Sequence, residues 1–372
     1  MCREILQGVT RMPVADYFSS DYVTARERFR TSAQAAGAAL TAHELPQHRG
    51  GRNEALTMDV ARLGAHDATS ALVVISGTHG VEGFCGSGCQ VGFFADRLYE
   101  ALPPTACVLL IHALNPYGFC WLRRVNEDGI DLNRNFVDFS RALPSSAAYA
   151  PLHDWLLPRD WQGAARQQAD LAIMGFIQQQ GLRAFQTALT AGQYTHPTGL
   201  FYGGAQPSWS ARTLGKILEQ LRTVQRVAVL DLHTGLGPVG YGEPILVPRS
   251  PADLERARKW YGADVRDLSA DESVSAQLVG TVADGVASTL GHAEITYVGL
   301  EFGTRPMLEV LTALRADHWL HAYGKADDHG MRDSIRLQMR NAFYCEESAW
   351  QAAVYGRTAD FTYRACRALG KS

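Results

Sequence analysis

The chain has 372 residues, of which 46% are hydrophobic and 20% are charged, a composition that is ordinary for a globular protein. Its net charge of −3 and its pI of about 6.5 exclude a strongly basic surface of the kind that binds nucleic acid or anionic lipid. No segment approaches the roughly 20 apolar residues that a membrane-spanning helix needs, and the N-terminus has no apolar stretch of signal-peptide length. We therefore expect a cytoplasmic protein with no nucleic-acid partner and no membrane partner.

Several apolar, β-branched runs predict buried strands, in chain order 70–76, 106–114, 226–232 and 295–302. Because these runs are continuous, they are typical of interior strands whose two faces are both covered. Helical patterns lie around them at roughly 14–36, 85–101, 166–190, 209–223, 306–323 and 330–343. This alternation predicts an α/β fold, a three-layer sandwich in which a mixed, largely parallel, twisted sheet carries helices on both faces.

The length allows one large domain or two smaller ones, and we interpret residues 1–372 as a single catalytic domain. The stretch 138–206 is the least regular, and its "RALPSS" and "THPTGLFYGGAQPSW" predict an insertion or lid beside the sheet. The seven cysteines are odd in number and scattered, which argues against a disulfide framework and favours small core-filling thiols. The sequence does not indicate an oligomeric state.

Ionisable residues follow all four predicted strands at their carboxyl ends, where open α/β sheets bind ligands. The first strand ends in "GTHGVEG", which contains His79 and Glu82, and the third ends in "DLHTGLG", which contains His233. Two histidines and one carboxylate with an open fourth position are a common ligand set for catalytic zinc. These three residues are therefore candidate ligands for one zinc ion per chain. The plainer alternative is a turn whose polar residues only face water.

The motifs occur in an order that is found in a known family. "HGVE" (79–82), "NPYG" (115–118), "GIDLNRNF" (129–136), a later strand-end histidine and a still later strand-end glutamate together resemble the zinc carboxypeptidases. The resemblance extends from Ser70 to Arg305. "HG-x-E" and "DLHT" resemble the branch of succinylglutamate desuccinylase and aspartoacylase, and its bacterial relatives, more than the digestive carboxypeptidases.

The resemblance implies a role for each matching residue. It implies zinc ligation by His79, Glu82 and His233, and a hydrogen bond that Asp131 accepts from the first ligand histidine. It also implies polarisation of the scissile carbonyl by Arg124, binding of the substrate carboxylate by Asn133 and Arg134, and general-base catalysis by Glu301. These roles agree with elementary chemistry. A positioned glutamate moves a proton from water to the leaving amine, an arginine stabilises an oxyanion, and a guanidinium matches a carboxylate.

The reaction implied is zinc-dependent hydrolysis of an amide bond adjacent to a free carboxylate. The substrate is then a small peptide, as for a carboxypeptidase, or an N-acyl amino acid, as for a deacylase. A non-catalytic binding protein that retains the fold is a further alternative, which the presence of all the ligands and the base disfavours. A serine hydrolase is disfavoured because no Gly-x-Ser-x-Gly motif occurs.

Some assignments remain open from the sequence. Arg123 could take the role of the adjacent Arg124, and Glu301 could instead be a buried partner of Arg305. His318 and His321, three apart in "HWLH", could bind metal, although a solvated helix face is favoured. The tyrosine that digestive carboxypeptidases place above the scissile bond could be Tyr202, Tyr241 or Tyr297.

Overall fold

The computed structural model describes residues 12–144, 147–270, 273, 278–325 and 328–371. Its strands are β1 (Ala39–Arg49), β2 (Ala55–Gly64), β3 (Ser70–Ser76), β4 (Ala106–His112), β5 (Arg226–Val239), β6 (Gly242–Leu246), β7 (Arg266–Asp267) and β8 (Glu294–Gly303). They form one eight-stranded sheet in the order β1-β2-β4-β3-β5-β8-β6-β7. The four predicted strands are therefore present, and they are the four neighbours at the centre of the sheet.

The central strands β4, β3, β5 and β8 are parallel, whereas β1, β2 and β6 pair in antiparallel fashion. In this register Ser76 at the end of β3 lies beside Leu232 of β5, and His233 lies beside Glu301 of β8. The carboxyl ends of three strands thus meet at one edge of the sheet. This is the edge at which parallel strands deliver residues to a binding site.

Helices cover both faces of the sheet. They are α1 (Tyr22–Ala35), α2 (Gly83–Ala95), α3 (Pro116–Trp121), α4 (Ala150–Leu156), α5 (Ala164–Gln180), α6 (Leu182–Thr190), α7 (Trp209–Leu218), α8 (Pro251–Tyr261), α9 (Val282–Leu290), α10 (Met307–Tyr323), α11 (His329–Phe343) and α12 (Ser348–Leu369). Short 3₁₀ helices occur at Val14–Tyr17, Gly80–Glu82, Leu98–Ala101, Leu132–Arg134, Glu219–Leu221 and Leu268–Ala270. No helix in the described part of the chain is both long and apolar enough to cross a membrane.

Two apolar cores lie on opposite faces of the sheet. Residues of α1, α2, α8 and α12 pack on one face, with Phe29, Phe84 and Phe361 fully buried. Residues of α7 and α9 pack on the other face, where Leu214 and Val286 are equally buried. The predicted α/β sandwich with helices on both faces is therefore confirmed.

The last central strand differs from its prediction as a strand covered on both faces. Along β8, Thr296, Val298 and Leu300 are buried, whereas Tyr297 and Gly299 between them are only half-buried. Alternation of this kind means that one face of β8 is incompletely covered. The uncovered face is the one that carries Glu301.

Several predicted helices are shorter or divided. The pattern at 166–190 forms two helices, because Gly181 between α5 and α6 has a φ of +88°, a value that glycine adopts readily. The pattern at 14–36 divides where Asp21 caps α1 by accepting a hydrogen bond from Thr24 N. Helix boundaries depend on such caps more than on apolar periodicity.

The segment 138–206 contributes α4, α5 and α6. Their apolar residues, among them Leu152, Ile173 and Phe185, pack with Val310 and Met339 of α10 and α11 in a third apolar cluster. The end of the segment returns to the sheet edge, where Asp131 N donates to the carbonyl of Tyr202. That the segment works as a lid stays a prediction.

Candidate active site

The turn after β3 places His79 and Glu82 at the sheet edge. Gly77 has a φ of +67°, and a side-chain carbon on Gly80 would lie 2.1 Å from the backbone of Gly118. The two glycines therefore allow the chain to turn tightly against the neighbouring α3. His79 caps the 3₁₀ helix Gly80–Glu82, and both ionisable side chains are almost fully buried. The plainer alternative, a turn whose polar residues only face water, therefore does not describe His79 and Glu82.

His233 completes a three-residue cluster with these two. One potential ligand atom from each of His79, Glu82 and His233 lies within 4.8 Å of the others, and all three residues are buried. His233 Nδ1 is 3.4 Å from Glu82 Oε2, which also accepts a hydrogen bond from Thr234 N. The sequence-predicted ligands therefore do converge, although they come from strand ends 151 residues apart.

The donor set fits a zinc ion. His79 Nδ1 is buried and has no hydrogen-bond partner among the described residues, its nearest carboxylate being Asp131 Oδ1 at 3.5 Å. Burial, followed by the charge of Arg124, holds the pKa of His79 well below its usual value. Its imidazole is thus neutral, as a metal ligand must be. Two imidazoles and a carboxylate within this space are the ligands that zinc takes in hydrolases.

The electrostatics of His233 are the reverse. Burial by itself lowers the pKa of His233, but the charge of Asp231, together with hydrogen bonds to Asp231 and Glu82, outweighs burial and raises it well above its usual value. Without a metal the ring is therefore a cation between two carboxylates. A divalent ion would take the place of that proton, so binding at this site is expected to release it.

Arg124 lies directly against the cluster. Its Nη1 donates to Glu82 Oε1 over 3.1 Å, its Nη2 is 2.8 Å from His79 Nε2, and its Nε donates to Asp131 Oδ2 over 3.1 Å. Asp131 is fully buried, and the charge of Arg124 holds its pKa below the usual value against the opposing effect of burial. Asp131 thus lies beside the first histidine, as the resemblance implied, but shares its carboxylate with an arginine.

The alternative that Arg123 takes this position is decided by geometry. The Arg123 side chain points away from the cluster and donates from Nε to both oxygens of Asp317 in α10, at 3.0 and 3.2 Å. His318, beside Asp317, is buried, with Nδ1 3.2 Å from the carbonyl of Thr198. The expectation that "HWLH" forms a solvated face is therefore wrong for His318, because that side of α10 packs against the segment 138–206.

A cavity lies beside the cluster, and His79, His233 and Arg124 are among the residues that line it. Asn133 and Arg134 line it too, but both are anchored to backbone groups. Arg134 is 2% exposed and donates from Nε and Nη2 to the carbonyl of Thr190 and from Nη1 to that of Asn133. Among the described residues no carboxylate forms a salt bridge with it, and burial lowers its pKa only to about 10, so it remains a cation. A buried cation held by neutral carbonyls keeps the capacity to attract an anion.

Glu301 faces the cluster from β8. Its Oε1 accepts a hydrogen bond from Leu236 N at 2.9 Å, while Arg305 donates to the carbonyl of Asn341, so the two are not each other's partners. Burial, and then the charge of Glu82, raises the pKa of Glu301 to about 7. A carboxyl group with this pKa can both accept and donate a proton near neutral pH.

One carboxylate in the site escaped the sequence interpretation. Asp231 is fully buried, and its Oδ2 lies 2.9 Å from His233 Nε2. Tyr297 donates to the same oxygen over 2.6 Å, and Thr78 donates to Oδ1 over 2.8 Å. The signal was present, since Asp-x-His within a strand places both side chains on one face. A carboxylate in this position fixes the tautomer and orientation of a ligand histidine.

Of the three candidate tyrosines, Tyr297 is the one that lines the cavity. Its hydroxyl is engaged with Asp231, so it positions that carboxylate. Tyr241 is 39% exposed, with its ring near Arg357, and Tyr202 is buried. The described residues therefore place a tyrosine beside His233, with its hydroxyl on a protein carboxylate.

A family model described as a protein of unknown function, DUF2817, matches residues 18–357. The chain belongs to this family. No curated protein matches it. Membership in DUF2817 by itself assigns no reaction.

Among solved structures this DUF2817 family member is similar to two carboxypeptidases and to a fibrinolysis inhibitor, among others. The similarity to carboxypeptidase A of Helicoverpa armigera covers 92% of this chain and 73% of that chain, at 11% identity and a TM-score of 0.43. The similarity to bovine thrombin-activatable fibrinolysis inhibitor covers 92% of this chain and 97% of that chain, at 11% identity and a TM-score of 0.45. The similarity to a metallo-carboxypeptidase of Pseudomonas aeruginosa covers 95% of this chain and 71% of that chain, at 14% identity and a TM-score of 0.40. At these TM-scores no activity is carried over to the DUF2817 chain.

The chemical capacity of the site follows from its own residues. It combines a neutral imidazole, an imidazole on a carboxylate, a buried glutamate, a second carboxyl group with a pKa of about 7, and two arginines at one cavity. Phe201 lies near both guanidinium groups, with its ring centre 5.4 Å from Arg124 and 5.6 Å from Arg134. The cavity therefore offers metal ligands, a proton carrier and positive charge within one small volume.

Proposed function

We propose that this protein is a zinc-dependent hydrolase that cleaves an amide bond adjacent to a free carboxylate. The observation that carries the proposal is the convergence of His79, Glu82 and His233 in one buried cluster beside a cavity that Glu301 lines. Bound by the first three residues, zinc would supply a Lewis acid and lower the pKa of a water molecule to around 7. The other steps belong to side chains of the chain itself.

Glu301 is the general base. With a pKa of about 7 it accepts a proton from the attacking water and returns it to the leaving amine. Its hydrogen bond from Leu236 N holds one carboxylate oxygen, which leaves the other directed to the reaction. Because Glu301 is paired with no arginine among the described residues, its proton affinity is free to change during turnover.

Arg124 stabilises the oxyanion. Its Nη1 and Nη2 contact Glu82 and His79, so the guanidinium lies directly beside the proposed metal position. Its contact with Asp131 also holds the guanidinium at the cavity. A preorganised cation at the developing negative charge is a large contribution to catalysis in a site that excludes water.

Arg134, beside Asn133, binds the free carboxylate of the substrate. Its charge has no carboxylate partner in the described part of the protein, and its position is fixed by the carbonyl of Thr190. A bound substrate carboxylate supplies the missing counter-charge and fixes where the scissile carbonyl lies. Peptides with a free C-terminus and N-acyl amino acids both present this group.

The test is a screen of the zinc-loaded protein against dipeptides and N-acyl amino acids, each as free acid and as C-terminal amide. We expect hydrolysis of the free acids, with kcat/KM lower by one to four decades for the amidated compounds, since hydrogen bonds to charged groups contribute about 1.5–3 kcal/mol each. Arg134→Met should remove this difference while zinc stays bound. Equal cleavage of acid and amide would contradict the carboxylate assignment. Absence of hydrolysis with zinc bound would favour a binding protein.

A further inference from the structure

The cavity has an apolar recess beside the candidate active site. The recess is formed by residues from four separate segments of the chain, namely Ile245, Val247, Leu268, Leu278 and Gly299. Gly299 lies in β8 between Tyr297 and Glu301 and pairs with Ile245 of β6. Gly299, at the floor of the recess, therefore lies two positions before the proposed base Glu301 and on the same face of β8.

The recess exists because α9 covers only part of this sheet face. Val282 and Val286 of α9 pack with the apolar core there, and Tyr297 marks the edge of that packing. Beyond it Gly299, Ile245 and Leu278 stay half-buried, and Val247 is 36% exposed. Apolar surface left open beside a cluster of ionisable groups is typical of a ligand site.

The glycine at 299 is not required by the fold. A side-chain carbon there would meet nothing nearer than His233 Cδ2 and the carbonyl of Ile245, both at 3.8 Å, which is an ordinary contact. Gly303 on the same strand is different, since its side-chain carbon would lie 2.3 Å from backbone oxygens of Gly237 and Pro238. Backbone packing explains Gly303, whereas the space above Gly299 remains open to a ligand.

The charge of the cavity lining restricts what that ligand can be. Apart from His79, Arg124, Arg134, His233 and Glu301, no charged side chain lines the cavity among the described residues. A charged group placed in the recess would lose water without gaining a partner, which is unfavourable. An aliphatic or aromatic group would instead bury its surface against Ile245, Leu268 and Leu278.

The recess adjoins the residues proposed to hold the substrate carboxylate. Asn133 Oδ1 accepts a hydrogen bond from Val282 N at the start of α9, and Thr281 and Ala283 line the cavity at the same place. A side-chain carbon on Gly280 would lie 2.7 Å from the carbonyl oxygen of Arg134. Through Asn133, the proposed carboxylate site thus adjoins the start of α9 and, with it, the recess.

We infer that the substrate is a peptide or N-acyl amino acid whose carboxylate-bearing residue has a bulky apolar side chain, bound in the recess above Gly299. The inference rests on the proposed function for the position of the carboxylate. It adds a substrate class and identifies Gly299 as a residue that determines specificity.

The first experiment compares the zinc-loaded enzyme on N-acetyl derivatives of leucine, phenylalanine, glycine, aspartate and lysine. Burying a leucine side chain is worth roughly 10- to 100-fold in kcat/KM, so we expect leucine and phenylalanine to exceed glycine by that factor. Aspartate and lysine should be poorer still. An active enzyme that prefers glycine, aspartate or lysine would overturn the inference.

The second experiment fills the recess. Gly299→Val should lower the leucine-to-glycine ratio of kcat/KM by about 10-fold or more, since its methyl groups occupy the floor, and Gly299→Ala should lower it less. The matched control is Gly356→Val in α12, where a side chain would meet nothing within 4 Å and the residue is exposed. The unfolding midpoint of Gly299→Val shows whether this variant is folded. If the folded variant has the same leucine-to-glycine ratio of kcat/KM as the control, the inference is overturned.

A binding measurement separates this inference from the proposed function. Calorimetric titration with N-acetyl-leucine and N-acetylglycine needs no turnover. If no amide is cleaved but N-acetyl-leucine binds at least about 10-fold tighter, and Gly299→Val removes the difference, the recess assignment stands and the hydrolase proposal fails. If amides are cleaved and the two ligands bind equally, the recess assignment fails and the hydrolase proposal stands.

Discussion

The two histidines of the candidate metal site approach the same glutamate from different kinds of structure. His79 lies in a glycine-rich turn, where its neighbouring carboxylate, Asp131, is 3.5 Å away and shared with Arg124. His233 lies inside β5, where its neighbouring carboxylate, Asp231, is 2.9 Å away. Tyr297 and Thr78 hold that carboxylate in place by hydrogen bonds. The pKa of the first ring is lowered and that of the second is raised. Two similar ligands therefore have opposite protonation in the metal-free protein.

The difference in protonation gives the two histidines different roles in the candidate metal site. A neutral imidazole next to a cationic arginine offers a lone pair, whereas an imidazolium between two carboxylates keeps Glu82 and Asp231 compensated until metal arrives. In the zinc site that we propose, His79 therefore supplies a neutral ligand, and protonated His233 compensates the charge of the two carboxylates while no metal is bound. The predictions that follow test this division of roles.

Removing either histidine should have the largest effect. His79→Ala and His233→Ala each leave two ligands, so metal content should fall from about one zinc per chain to near zero and hydrolysis should disappear. Elemental analysis of protein purified without chelator measures this directly. Zinc retained in both variants would place the metal elsewhere in the protein.

Glu301→Gln should separate metal binding from catalysis. The amide can still accept the hydrogen bond from Leu236 N but cannot take a proton from water. We expect turnover to fall by about 10²–10⁴-fold at unchanged zinc content. Near-normal turnover on an identified substrate would return Glu301 to a structural role.

The two carboxylates behind the histidines should differ in their effect on zinc affinity. Asp231→Asn removes the group that orients His233, and we expect zinc to bind about 10- to 100-fold more weakly. Asp131→Asn should weaken zinc binding less, because Asp131 is farther from its histidine, although it also releases Arg124. Competition with a chromophoric chelator gives both affinities. If Asp131→Asn weakened zinc binding more than Asp231→Asn, the distance between carboxylate and histidine would not determine how strongly each carboxylate supports zinc binding.

Tyr297→Phe should have a smaller effect on the same measurement. It removes one hydrogen bond to Asp231 and leaves those that Asp231 accepts from Thr78 and His233. A single hydrogen bond to a charged group is worth about 1.5–3 kcal/mol at most, and part of it is recovered by rearrangement. We expect a weakening of zinc binding of less than about tenfold. A loss equal to that of Asp231→Asn would show that the tyrosine alone fixes the carboxylate.

The smallest effect concerns the pH dependence of stability in the metal-free protein. Because the pKa of His233 is raised, its contribution is complete below about pH 6.5 and is lost as the pH rises through its folded-state pKa. Because the pKa of His79 is lowered, its contribution is present above about pH 6.5 and is lost as the pH falls. Urea unfolding with chelator should therefore show that His233→Asn and His79→Asn change the slope in opposite directions. Changes of the same sign would contradict the assigned protonation.

The amino-acid sequence by itself determined the central strands, the sandwich and the identity of the residues that cluster as candidate ligands. A continuous apolar run predicts a buried strand from its own residues. The glycines around His79 and Glu82 likewise allow a tight turn within a few residues. Both signals are local. The sequence interpretation did not include β1, whose residues are largely exposed or half-buried. An edge strand of this kind has no apolar run to reveal it.

Only the tertiary structure decided which neighbours act together. Arg123 and Arg124 are adjacent in the chain, yet one binds Asp317 of α10 and the other contacts the ligand cluster. The recess joins Ile245, Leu268 and Gly299, and its openness depends on where α9 begins. Such features arise from the path of the backbone and the register between distant strands. These are properties of many contacts at once, so no short segment of sequence contains them.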